Sequence, residues 1–376
     1  MGRTTVLTEE QVPLVNAALG DANRARAAWH EWERLSDWKD EQIDAGSHRL
    51  LALVYRNMAR VYPQNPALPR LKGVYRKAWF ENSRLWRLAV PAIQALEPTG
   101  MPVMLLKGVS LALLHYRDRG ARAMEDVDLL VPQAQADTAA AILEEQGWKS
   151  IERASAGVVL RYHHSAPLHH ADGGRIDLHR FVLAENVDPD VDLPVWRSAQ
   201  PLPFEGMELL APSAEDELII ACIHGWRWNT VPPVRWICDV ATILQASTAF
   251  DWARVVSEAR RRRMMYRVGR ALAFASAYTS HIPPDVLSQL QAGPFAWFEA
   301  QEERLMNRRP GLVPLTGIQS AYKFLRVHGA PRTPRALYRF ARHMVEAGGA
   351  LSGPSSPFWP LALLRRRIRF LLRPRA

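Results

Sequence analysis

Apolar positions recur with helical spacing from residue 8 to residue 62, where Trp29, Trp32, Leu35 and Trp38 fall on one stripe and Thr8 with Gln11 has the spacing of a capping box. Pro63, Pro66 and Pro69 interrupt this run, because proline lacks an N–H and crowds the preceding turn; a second helical pattern fills Leu71 to Leu96. The period then shortens. Pro102 to Leu106 is an apolar strand that ends at Lys107-Gly108, Leu111 to Tyr116 is helical, and residues 126–131 and 175–180 alternate with period two. Gln133 to Gln146 forms an amphipathic helix that stops near Gly147. Asp172-Gly173-Gly174 marks a hairpin joining 175–180 either to 158–164 or to the His169-His170 stretch, and a two-residue turn on the glycines pairs His170 with Asp177. Ser213 has the chemistry of an N-cap ahead of Leu218 to Cys222, and helical spacing continues through Val234 to Leu244. Arg260 to Arg263 reads as a solvated helical face. The expected fold is α+β: a small mixed β-sheet core flanked by helical N- and C-terminal regions. Its expected units are a helical region at 1–96, a mixed core at 97–205, a helical domain at 206–347 and a linker with a basic amphipathic tail at 348–376.

Composition narrows the setting. A chain of 376 residues exceeds the usual single-domain size, so two or three structural units are expected. Cys222 and Cys238 lie in apolar helical patterns without Cys-x-x-Cys spacing, which disfavours structural zinc and a disulfide framework. The first residues lack an apolar leader and no run of about 18 apolar residues occurs, so a cytoplasmic protein is expected. The formal charge of +10 is unevenly spread: residues 331–376 carry ten arginines against Glu346 alone, a net +9. The tail at Phe358 to Leu372 is both apolar and basic, which favours an anionic membrane surface or an acidic partner over specific nucleic-acid recognition.

Chemistry concentrates in Met124-Glu125-Asp126-Val127-Asp128-Leu129. On a strand Asp126 and Asp128 face the same way, and two adjacent like charges call for a cation or a shared proton. Paired oxygen ligands suit Mg²⁺, or Mn²⁺, bridging to phosphates. Asp177 brings a third carboxylate on a second strand, with His179 on its face. The turn at Lys107-Gly108 opens a helix whose free N–H groups suit an anion, with Ser110 nearby, and Arg122 stands four residues before Asp126. Arg235 and Asp239 have the i, i+4 spacing of a same-face ion pair, and His224 lies on the preceding helix. The histidines at 163, 164, 169 and 170 are a weak zinc motif without cysteine.

The series Leu106-Lys107-Gly108, Arg122, Asp126-Val127-Asp128-Leu129-Leu130-Val131 and Ile176-Asp177-Leu178-His179 resembles the uncharacterised nucleotidyltransferase family of bacteria, a branch of the DNA polymerase β-like nucleotidyltransferases. Ile223-His224-Gly225 and Arg235 to Ala241 are similar to a later helical motif of that family. The wider superfamily opens its first helix with Gly-Ser or Gly-Gly; here Val109 follows Gly108 and the hydroxyl is delayed to Ser110. The resemblance implies metal-dependent transfer of a nucleoside monophosphate from a nucleoside triphosphate to an acceptor hydroxyl or phosphate. Asp126, Asp128 and Asp177 would be the catalytic and metal-binding residues. Lys107, Gly108, Ser110, Arg122, His179, His224, Arg235 and Asp239 would contact nucleotide or acceptor. Phosphoryl or glycosyl transfer from a nucleotide donor uses the same groups, and a degenerate nucleotide- or partner-binding protein is the non-enzymatic alternative.

Overall fold

Four helices open the chain in the computed structural model, which describes residues 7–306 apart from 37, 39–42, 153, 227–233, 248 and 294–295, together with 325, 333–334, 337–338 and 341. They are α1 (Gln11–Leu19), α2 (Ala22–Leu35), α3 (Ala45–Val61) and α4 (Leu68–Gln94). The capping box forms: Thr8 N–H donates to Gln11 Oε1 (3.2 Å) and Gln11 N–H to Thr8 Oγ1 (3.3 Å). Trp29, Trp32 and Trp38 are buried against one another, with ring centroids 5.1 to 5.6 Å apart. Leu35 departs from the expected stripe and is exposed, because α2 ends on it and Trp38 reaches the cluster from beyond the helix. The basic tail at 348–376 lies outside the described residues.

The middle of the chain builds a mixed sheet. In sequence order it runs β1 (Met104–Leu106), α5 (Gly108–Leu111) continuing into a π-helix (Ala112–Tyr116), β2 (Val127–Leu130), α6 (Ala136–Glu145), β3 (Lys149–Ser150), α7 (Ala156–Tyr162), β4 (Ser165–His169), β5 (Arg175–His179), α8 (Leu193–Arg197), β6 (Gln200–Phe204) and β7 (Met207–Ala211). The strands are ordered β3-β4-β5-β2-β1-β7-β6, with β2 antiparallel to β1 and parallel to β5. Strand periodicity divides the side chains: Leu105, Val127, Leu129, Ile176 and Leu178 enter a core with α4, α6 and α7, whereas Asp128 and Asp177 turn to the other face.

Three expectations need correction. Residues 156–162 are helical, because Ala156, Val159 and Leu160 bury an i, i+3, i+4 face that a short apolar run does not distinguish from a strand. The hairpin turns on Ala171-Asp172-Gly173: His170 N–H donates to the Gly174 carbonyl (3.0 Å), Gly173 takes a positive φ of 86°, and Asp177 therefore faces Pro167, not His170. The sheet also continues past residue 205. β6 and β7 form a hairpin through Glu205 and Gly206, both at positive φ, and β7 pairs parallel with β1. Pro201 and Pro203 hide β6 in the sequence, and β6 tolerates them because it is the sheet's edge.

Helices α9 (Ala214–Gly225), α10 (Arg235–Ala246), α11 (Trp252–Arg261), α12 (Met265–Ala275), α13 (Pro284–Gln291) and α14 (Ala296–Met306) follow. Ser213 caps α9 as expected, accepting from Asp216 N–H (3.3 Å). A single apolar core joins α9–α13 to the opening helices, placing Leu14, Trp29 and Val54 with Ile223, Ile237 and Leu272. Arg262 contradicts the solvated reading: it is 2 % exposed and its guanidinium donates to Asp192 at 2.8 Å. Both cysteines are free and buried. No helix among the described residues is long and apolar enough to cross a membrane.

Candidate active site

The parallel pairing of β2 and β5 sets Asp128 directly beside Asp177, and the period of two puts His179 on the same face. His179 Nε2 lies 3.1 Å from Asp128 Oδ1 and 3.0 Å from Asp177 Oδ2, while Nδ1 lies 3.1 Å from the Phe181 carbonyl oxygen. That carbonyl can only accept, so Nδ1 carries a proton and Nε2 meets the carboxylates either as an imidazolium or as a neutral lone pair sharing a cation with them. Ligand atoms of Asp128, Asp177 and His179 all lie within 4.8 Å of one another. Asp177 Oδ1 is buried and has no hydrogen-bond partner in the protein. Lys107 completes the cluster, its Nζ donating to Asp128 Oδ1 at 2.6 Å.

Charge balance follows from these contacts. Burial would raise Asp128, but the Lys107 and His179 charges outweigh it and hold the carboxyl far below its usual range. Burial and then Lys107 press His179 down, and the two carboxylates more than compensate, leaving it at about 9. Burial opposes ionisation of Asp177 as well, and His179 overrides it. Asp126 differs: burial in the cleft and then the Asp128 charge push it up to about 6. The residue sits just before β2 with one side open to solvent, and the like charge of Asp128 stands on its other side and disfavours its ionisation.

Lys107 adopts φ 51° and ψ −102°, a conformation side chains rarely take, which turns the strand into the helix and its ammonium onto Asp128. Gly108 lets Met124 and Arg122 close over the turn: a Cβ there would stand 2.9 Å from Met124 Sδ and 3.3 Å from Arg122 Nη1, so a larger residue needs the Met124 side chain to move. Asn82 of α4 fixes the loop before Asp126: its amide donates to Arg122 O (2.9 Å) and its Oδ1 accepts from Met124 N–H (3.0 Å).

A cavity of about 280 Å³ opens beside the cluster. Lys107, Gly108, Arg122, Asp126, Asp128, Asp177, His224, Arg235 and Asp239 line it; Ser110 and His179 stand behind its wall, fully buried. The hydroxyl of Ser110 contacts Glu217 and the Lys107 carbonyl, so the expected phosphate contact by Ser110 is not what this arrangement offers. The expected Arg235–Asp239 pair is replaced too. Asp239 instead accepts from Arg122 Nε (2.8 Å) and Nη2 (3.1 Å) and from the Tyr116 hydroxyl (2.9 Å), and Arg235 donates to the Ala123 carbonyl. A bidentate guanidinium from a distant loop outcompetes a local i, i+4 partner. His170 stands elsewhere, with Asp172 and Trp148, and among the described residues no cluster of the kind zinc needs joins the histidines at 163, 164, 169 and 170.

Among the lining residues outside the expected set, Glu217 and Arg49 bring charge from unexpected elements. Glu217 is 2 % exposed, its Oε1 has no partner, and burial pushes its carboxyl up to about 8. Its signal is periodic: Glu217, Ile220, Ala221 and His224 form one i, i+3, i+4, i+7 face toward the cavity. Arg49, ion-paired with Glu125, comes from α3, far from any motif.

Comparison with known proteins gives one family and two solved structures. A family described as uncharacterised nucleotidyltransferase matches residues 35–280. The crystal structure of an antigenic nucleotidyltransferase-like protein from Paracoccidioides brasiliensis is 18 % identical with a TM-score of 0.36, covering 56 % of this chain and 93 % of that one. The solution structure of antibiotic-resistance factor ANT(2'')-Ia is 14 % identical with a TM-score of 0.34, covering 60 % of this chain and 100 % of that one. No curated protein matches.

Proposed function

The chain belongs to the uncharacterised nucleotidyltransferase family, and from that membership we propose that it transfers a nucleoside monophosphate from a nucleoside triphosphate to an acceptor hydroxyl or phosphate. The observation that carries the reading is the registered Asp128–Asp177 pair with one buried carboxylate oxygen left without a protein donor. This donor set fits a divalent cation, and Asp128 and Asp177, with Asp126 from the mouth of the cleft, would hold Mg²⁺ or Mn²⁺. Such an ion, when bound, supplies positive charge to phosphate oxygens.

The protein's own groups account for the rest. Lys107, Arg122 and Arg235 surround the cavity with fixed cations, and N–H groups at the start of α5 add donors for phosphate. His179 holds the two carboxylates in one orientation. Asp177 takes the proton of the acceptor hydroxyl; the acceptor oxygen forms its bond to the α-phosphorus and pyrophosphate leaves with the electron pair of the broken bond. His224 and Asp239 contact nucleotide or acceptor from the helical side of the cavity. We place the enzyme in the cytoplasm, its 348–376 tail drawing it to an anionic membrane surface or an acidic partner. The helical regions on either side of the sheet act as walls around the catalytic core, with Arg49 of α3, Glu217 and His224 of α9 and Arg235 and Asp239 of α10 lining its cavity.

The test incubates the protein with Mg²⁺, each labelled nucleoside triphosphate and candidate acceptors, and follows pyrophosphate release and acceptor mass. The expected result is an acceptor heavier by one nucleoside monophosphate, with Asp128→Asn and Asp177→Asn slower by about a hundredfold or more. Unchanged turnover in both variants would overturn the assignment.

A further inference from the structure

The helical segment that begins at Gly108 in the catalytic cavity ends at a second cavity of about 550 Å³. Arg56 and Arg60 of α3, His115 and Tyr116 of the π-helix, Arg117 and Gln245 of α10 line it. No carboxylate does so among the described residues. Arg56 has an acidic partner in Asp118 at 3.5 Å, whereas Arg60 donates only to the neutral Asn57 Oδ1 (2.9 Å). Arg117 has no acidic partner among the described residues and takes φ 51°, ψ 39°, an uncommon conformation for a long side chain. His115 Nε2 is buried and has no hydrogen-bond partner. Two guanidiniums without an acidic partner among the described residues and a buried ring nitrogen without a hydrogen-bond partner thus line one opening, where a bound phosphate would supply the acceptors they lack.

We propose that this cavity is a second binding site, separate from the carboxylate cluster, for a phosphate-bearing small molecule. Arg60 and Arg117 offer the planar forks that phosphate oxygens match, and His115 Nε2 and Gln245 supply a polar floor. The site also touches the catalytic cavity. Tyr116 lines the second cavity, and its hydroxyl donates to Asp239, which holds Arg122 in the first. Because it involves none of the residues assigned to transfer, the assignment stands or falls independently of the proposed reaction.

Isothermal titration of the full chain in excess chelator, with inorganic phosphate, pyrophosphate or AMP as the probe, separates this site from a metal-dependent one. The expected result is binding of at least one probe by wild type, weakened about tenfold or more in the Arg60→Ser/Arg117→Ser double variant and reduced by added salt. Tighter binding of pyrophosphate than AMP identifies a phosphate-only ligand; the reverse identifies a nucleotide. Arg117→Lys, which keeps the charge but loses the fork, should fall between wild type and the double variant and guards against misfolding as the cause. Absence of chelator-resistant binding in wild type, or full binding by a folded double variant, would overturn the proposal.

Discussion

Asp239 receives two hydrogen bonds from Arg122 and one from Tyr116, with all three residues buried. Asp239→Asn leaves a buried guanidinium without its counter-charge and should cost about 3–5 kcal/mol of stability in chemical denaturation. Tyr116→Phe removes one bond to a charged acceptor and should cost about 1.5–3 kcal/mol. Glu217 provides the pH dependence. Its folded value is raised by burial from 4.5 to about 8, so the folded state keeps a proton that the unfolded state has lost. That contribution is fully present below 4.5 and fades as pH rises through 8, so wild-type melting temperature should fall across this window. Glu217→Gln retains the neutral shape and should flatten the decline; an unaltered slope would show that another group titrates. The juxtaposition of Asp128 and Asp177 was legible because charge inside an alternating apolar strand has few structural explanations, whereas the chain bend that leaves Asp126 outside their cluster was not. The Arg122–Asp239 pair was not, since its partners are 117 residues apart and nothing local competes visibly with Arg235.

Between elements, the membership of β1, β2 and β5 in one sheet was readable from an apolar run and two alternating segments, and the helices on either side from periodicity and proline punctuation; the order and direction of the strands were not. Segments 156–162 and 200–204 were not: a short buried helix mimics a strand, and two prolines mask an edge strand whose role depends on β7. Gly225 belongs to this scale as well. A Cβ there would lie 2.0 Å from Trp236 Cγ, so the glycine in Ile223-His224-Gly225 lets α9 and α10 meet. Gly225→Ala should destabilise by about 1–3 kcal/mol through overpacking. It should also weaken nucleotide binding, because the displaced α10 carries Arg235 and Asp239; thermal melts with nucleotide titrations check both.

At the scale of the whole molecule, the excess positive charge sits in the last residues and every residue lining the catalytic cavity precedes position 240. Removal of 358–376 should therefore reduce sedimentation with anionic vesicles while sparing turnover of a small soluble acceptor. Loss of turnover with vesicle binding intact would make the tail part of the catalytic fold. The shared core of opening and closing helices has a further consequence, in time instead of space. Residues of α1, α2 and α3 pack against α9, α10 and α12, yet about 180 residues separate the end of α2 from the start of α9. At about 5–20 residues per second, a ribosome needs roughly ten to forty seconds to deliver those partners. During that interval the nascent amino-terminal helices wait with an apolar face uncovered, and a chaperone that holds such faces should be found on ribosomes paused before residue 214 and absent once α12 has emerged.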